Sequence, residues 1–151
     1  MKKKLNILRM ISQSRLRFRL FIYRKLWKIK IGENTYISPR AYLDHHKKNT
    51  IEIGNNCYIT RDCIILDHTQ DKQGGPLKLW GGIEYGKVKI GDNVFIGVKT
   101  VIMPGVTIGD NVIIGAMSLV TKDIPSNSVA FGQPARVVKR IEEVIPNFKE
   151  K

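Results

Sequence analysis

From Ile90 to Pro125 the chain reads as six consecutive words of six residues: IGDNVF, IGVKTV, IMPGVT, IGDNVI, IGAMSL and VTKDIP. The first place is always aliphatic (Ile90, Ile96, Ile102, Ile108, Ile114, Val120), and the fifth is small or branched (Val94, Thr100, Val106, Val112, Ser118, Ile124). Two inward positions four places apart predict a short strand followed by a corner. A fixed six-residue period is the signature of a parallel β-solenoid in which three words close one coil, rising about 4.8 Å per coil. The 3.6-residue period of an amphipathic helix is absent from this stretch. Gly91, Gly97, Gly109 and Gly115 fall at the second place, where the backbone is expected to be crowded or unusually twisted.

The same phase begins at Ile31. IGENTY, ISPRAY and LDHHKK are led by Ile31, Ile37 and Leu43; four extra residues, 49 to 52, follow; IGNNCY, ITRDCI and ILDHTQ are led by Ile53, Ile59 and Ile65. A second insertion, about 71 to 89, carries Gly74, Gly75, Pro76, Gly81, Gly82 and Gly86 and reads as a loop leaving the wall. The count gives an all-β solenoid of about four coils, starting near 31, 53, 90 and 108. After Pro125 the words stop, and the remainder reads as a turn, a last strand and a short C-terminal helix. In this register Leu43, Ile65, Ile102 and Val120 share one wall. His45 and His46 then lie one coil below Asp67 and His68, which gathers the protein's three histidines beside the protruding loop. Titratable groups next to a loop on a rigid scaffold are the usual form of an active site.

Residues 4 to 29 predict a helix, with Leu16, Leu20, Tyr23 and Trp27 on one side among many basic residues. The formal charge is +13, and it is concentrated here, because residues 1 to 30 contain eleven Lys/Arg and no Asp or Glu. Such an arm suits either an anionic membrane surface or a cap on the open end of the solenoid; no base-reading motif points to nucleic acid. No apolar run is long enough to span a bilayer, and the N-terminus lacks the clean apolar centre of a signal peptide. Cys57 and Cys63 occupy the same inward hexad place, which assigns them to packing in a reducing compartment rather than to a disulfide or a metal. The organisation expected is an arm over 1–30, a solenoid domain over 31–141 and a tail over 142–151, in a cytoplasmic protein that can touch the inner face of the membrane.

The stretch IEYGKVKIGDNVFIGVKTVIMPGVTIGDNVIIGAMSLVTKDIPSNSVAFGQPARVVKRI resembles the hexapeptide-repeat acyltransferases, and within them the sugar acetyltransferase branch that includes galactoside and maltose acetyltransferases. The basic arm running into KIGENTYISP resembles variants that O-acetylate bacterial surface polysaccharides. The resemblance implies a left-handed parallel β-helix, a homotrimer, acetyl-CoA as co-substrate, and direct attack of a sugar hydroxyl on the thioester with a histidine as general base. By position it implies His68 as that base, although the galactoside branch carries its histidine two places later, where this chain has Gln70. It further implies Gly97, Val98, Gly115 and Ala116 along the pantetheine path, and Thr121, Lys122, Arg136 and Lys139 near the adenine and phosphates. Asp67 is expected to orient an imidazole, meet the acceptor or stand as a solvated corner residue, and Trp80 to stack on a sugar ring or anchor the loop.

Alternatives stay open at this stage. Asp44 and His45 resemble the Asp-His pair of serine acetyltransferases, one coil lower than His68. N-acetylation of an amino sugar or small amine, and a non-catalytic trimeric scaffold, compete with O-acetylation. A metal-dependent lyase of the same fold would need three histidines around one ion. Adjacent residues such as His45 and His46 tend to face opposite sides of a strand, so no metal is expected.

Overall fold

A computed structural model of the chain describes residues 18, 20–69 and 85–145. Twelve short strands wind in order: β1 (Lys30–Ile31), β2 (Tyr36–Ile37), β3 (Tyr42–Leu43), β4 (Ile51–Ile53), β5 (Tyr58–Ile59), β6 (Ile64–Ile65), β7 (Val88–Ile90), β8 (Phe95–Ile96), β9 (Val101–Ile102), β10 (Thr107–Ile108), β11 (Ile113–Ile114) and β12 (Leu119–Val120). Every third strand stacks in parallel on the same wall. Wall A is β1-β4-β7-β10, wall B begins β2-β5-β8-β11, and wall C is β3-β6-β9-β12. The registers Leu43↔Ile65, Ile65↔Ile102 and Ile102↔Val120 put the four expected leaders in wall C. Three parallel walls with little helix fit a left-handed β-helix.

The hexad explains why most strands are only two residues long. The leading aliphatic side chain points in, the residue before it points out, and the chain then turns a corner. Leaders such as Ile59, Ile65, Ile96 and Ile102 are fully buried, as are fifth-place Cys57, Cys63, Val94 and Val112. Both cysteines pack inward as free thiols. In wall A, β4 and β7 run to three residues. Ile51 and Val88 are also buried and lie opposite each other in register. The last residues of both insertions therefore belong to the wall, because a β-branched residue two places before the leader shares its inward face.

Second-place glycines relieve crowding. A Cβ on Gly97 would run into the backbone N of Ala116 in the next coil, and one on Gly91 into the Asp110 side chain. The unusual dihedrals sit two places later instead, where Asn34, Asn56, Asp62, Asn93, Lys99, Gly105, Asn111 and Met117 all have positive φ.

Both ends are covered. Residues 20–25 are helical. Tyr23 and Ile29 are buried in the core, with Leu20 and Trp27 packed against it. Arg24 donates from Nη2 to the carbonyls of Ile31 (2.8 Å) and Gly32 (2.9 Å), pinning the helix to the first coil. Residues 4–17 of the expected helix lie outside the described residues, as do the centre of the second insertion and residues 146–151. At the other end Ile124 bridges to Ile108. There β13 (Ser128–Gly132) continues wall B, and β14 (Ala135–Arg140) returns antiparallel beside it, followed by a 3-10 turn at Ile141–Glu143.

The outer faces of the walls differ. Wall A shows Lys30, Glu52, Lys89 and Thr107, with Glu52 paired to Lys30 at 2.6 Å and to Lys87 at 2.8 Å. Wall B shows Tyr36, Tyr58, Phe95 and Ile113, and wall C shows Tyr42, Ile64, Val101 and Leu119.

Candidate active site

The corner after wall C turns out of β3 into Asp44, His45 and His46, and out of β6 into Leu66, Asp67 and His68. The ladder runs on past the strands, since Asp44 N–H donates to Ile65 O at 2.9 Å. His46 and His68 both hold the fourth place of their hexads, so the register stacks them, with ring centroids 4.2 Å apart.

Two buried carboxylates hold these rings. Asp44 is 1% and Asp67 0% exposed. His68 Nδ1 lies 2.6 Å from Asp44 Oδ2 and 3.0 Å from Asp67 Oδ1, and His46 Nδ1 lies 2.7 Å from Asp44 Oδ1. The carboxylates are fixed in turn. Asp44 accepts from the backbone N–H of His45 (2.9 Å) and of Asp67 (3.3 Å). Asp67 Oδ2 accepts from Lys47 N–H at 3.2 Å and lies 2.6 Å from the Thr50 hydroxyl. A buried polar group is retained at low cost only when bonded in this way.

The electrostatics follow from the geometry. Burial pushes the Asp44 carboxyl up, but the bond from His46, the bonds from Asp67 and the charge of His68 outweigh it and leave it at about 2. Burial pulls His68 down, yet its bonds and charge contacts with Asp67 and Asp44 prevail and raise it above its ordinary value. With Nδ1–H committed to carboxylates, neutral His68 carries its lone pair on Nε2. The His68 side chain is about one quarter exposed, at 23%.

Asp44, His46, Asp67 and His68 each offer a ligand-type atom within 4.8 Å of the others. Two imidazoles and two carboxylates are a donor set that suits a divalent cation. The donors of a tetrahedral zinc at about 2.0 Å stand roughly 3.3 Å apart. The nitrogen–oxygen distances here, 2.6, 2.7 and 3.0 Å, are those of charge-assisted hydrogen bonds, and the cluster reads as an acid–base network.

His45 turns the other way, its ring stacked on Trp27 at 3.8 Å and 19°. Asp44 accepts from its backbone N–H, while the carboxylate meets the rings of His46 and His68. Beyond the second insertion the chain returns to this corner: Tyr85 bridges to His68, and Gly86 N–H donates to Asp67 O at 3.0 Å.

The other expected positions lie elsewhere on the column. Gly97, Val98, Gly115 and Ala116 form the corner between walls B and C. Their glycine N–H groups are spent in the ladder, Gly97 on Ile114 O (2.8 Å) and Gly115 on Ala130 O (2.9 Å). Half-buried Val98 borders a hollow of about 350 Å³ with Tyr36, Ser38, Tyr58, Thr60 and Arg61. Thr121 and Lys122 are exposed on the histidine corner, two coils beyond His68; Arg136 and Lys139 are exposed on β14. Trp80 lies outside the described residues. The chain therefore brings Asp67 and His68 together and keeps both on a different corner from the Gly97–Ala116 row. The bridging role of Asp44 was missed in the sequence, where Asp44 pairs most simply with its neighbour His45. The matching fourth places of His46 and His68 were the available signal.

Residues 87–122 match the family model of the bacterial transferase hexapeptide, six repeats. The chain is 39% identical over 132 residues to the galactoside O-acetyltransferase of Escherichia coli (strain K12), covering 75% of this chain and 64% of that enzyme. It is also 36% identical to a maltose O-acetyltransferase from Clostridium difficile 630, whose crystal structure superposes with a TM-score of 0.57 over 81% of this chain and 74% of that one. This chain belongs to the hexapeptide-repeat acetyltransferases. A galactoside acetyltransferase solved in complex with coenzyme A is a further structural relative, at 32% identity and a TM-score of 0.58, covering 80% of this chain and 70% of that one. The chain spans 64% of the length of the curated galactoside enzymes that it matches.

Proposed function

We propose that this hexapeptide-repeat acetyltransferase moves the acetyl group of acetyl-CoA to a hydroxyl of a sugar, as in a surface polysaccharide or its precursor, with His68 as general base. The carrying observation is the imidazole of His68 held through Nδ1 by two buried carboxylates. The acceptor hydroxyl gives its proton to His68 Nε2 as its oxygen attacks the thioester carbonyl carbon. The tetrahedral intermediate then collapses, the C–S bond breaks, and the coenzyme A thiolate takes the proton back from the imidazolium. The products are an acetyl ester and free coenzyme A. Asp44 and Asp67 keep the tautomer and stabilise the imidazolium, a role worth orders of magnitude where the base must be held.

The donor corner and the base corner flank wall C, so one chain does not assemble both halves. Walls B and C are apolar outside and wall A is charged. A closed threefold ring that turns wall C toward its axis buries that apolar wall. It also sets His68 of one protomer against the Gly97, Val98, Gly115 and Ala116 row of its neighbour, with Thr121, Lys122, Arg136 and Lys139 toward the nucleotide end and Asp67 and Trp80 toward the acceptor. We assign residues 31–141 to catalysis, 1–30 to an arm and 142–151 to a tail. The protein is placed on the cytoplasmic side, where acetyl-CoA is made.

The test is thiol release from acetyl-CoA across a panel of glycosides, followed by mild alkali on the product. An alkali-labile acetyl group is expected. An alkali-stable product would mean N-acetylation, and neither turnover nor thermal stabilisation by acetyl-CoA would mean a scaffold.

A further inference from the structure

The N-terminal helix has two apolar faces, and the fold uses only one. Leu20, Tyr23 and Trp27 point to the column. Phe18, Phe21, Ile22 and Lys25, spaced three and four apart, share the opposite face, and Leu26 follows at its end. Phe18 is 65%, Phe21 55% and Leu26 61% exposed. An apolar helix face normally finds a partner.

The charge around it says which partner. Residues 1 to 30 contain eleven Lys/Arg and no acidic residue. Among the described ones, Arg24 is spent on the first coil and Lys30 on Glu52, while Lys25 and Lys28 are exposed. Aromatic and aliphatic side chains flanked by unopposed cations match the interface of an anionic bilayer, where the rings enter the acyl boundary and the cations meet phosphates. A second copy fits poorly, because a twofold contact through this face would press two basic arms together. The helix lies over the first coil, at the end of the column.

We propose that the outer face of this helix, through Phe18, Phe21, Leu26 and Lys25, docks the protein on an anionic lipid surface. Trp27, two residues beyond the helix, stacks on His45, next to His46, so docking sets the histidine corner near the headgroups. Docking is read without turnover, so its failure and the failure of the acetyl-transfer reading are separate results.

The experiment is co-sedimentation of the full chain with phosphatidylcholine vesicles and with vesicles that also contain phosphatidylglycerol. Binding only to the second, weakening with salt, is expected. The Phe18→Ser/Phe21→Ser double variant should bind about tenfold more weakly, with unchanged circular dichroism and native mass, and Lys25→Glu should weaken binding further. Three results would overturn the proposal. One is equal affinity of the double variant, which would make the arm a purely electrostatic binder of any polyanion. Another is no binding of the unmodified chain. The third is a change of native mass in the double variant, which would make the occupant a second copy.

Discussion

Left-handed backbone at the fourth place of the hexad turns most of the corners. Asn93 (φ 57°) and Asn111 (φ 55°) take that conformation, and their side chains bond to one another along the column at 3.0 Å. Asparagine tolerates it and β-branched residues do not. Asn93→Val should therefore cost about 1–2 kcal/mol in denaturant unfolding, and Asn93→Gly, which keeps the dihedral, should cost less. The histidine corner makes a second prediction at this scale. The base must be neutral and His68 is raised, so activity should climb with pH through a value above the ordinary imidazole range. Asp44→Asn removes a carboxylate that sustains the rise, so the limb should move to lower pH as kcat falls. Stability also falls toward acid, but over a lower pH range. Asp44 sits below its unfolded value, so its contribution is complete above about pH 4 and is lost as pH falls toward about 2. Thermal unfolding of the native protein should show this acid loss, and Asp44→Asn should flatten it. His68 and Asp67 were legible from the repeat count, because a strict period converts sequence position into height. Asp44 as bridge was not, since a sequence shows which residues share a corner and not which way each side chain turns.

The strands were legible for the same reason: inward places four apart leave no other phase. The ends of the insertions were less so. Ile51 and Val88 look like loop residues when hexads alone are counted, and only their burial beside Ile53 and Ile90 makes them wall. The crowding of neighbouring coils was legible in the glycines, though its cause, backbone approach rather than dihedral, needed coordinates. Gly97→Ala should force the coils at Ala116 apart and destabilise by about 1–3 kcal/mol, read as a lowered unfolding midpoint. The helix shows where a single sequence stops. Its spacing suited both a cap and a membrane face, and the described part caps the column with one side while leaving Phe18 and Phe21 in water.

For the molecule as a whole, two apolar walls beside a charged one are the strongest reason to expect a ring. Ile64→Arg, on the outside of wall C, should therefore yield monomers by light scattering and lose activity while keeping its strand content. Intact rings would mean that other surfaces hold the assembly. The account turns most directly on the imidazole that Asp44 and Asp67 hold. The deciding measurement is acetyl-CoA turnover by the His68→Ala protein at native mass, with an acceptor that the unmodified protein acetylates. A fall in kcat of about a hundredfold or more is expected. Turnover within a few-fold of the unmodified protein would contradict the account.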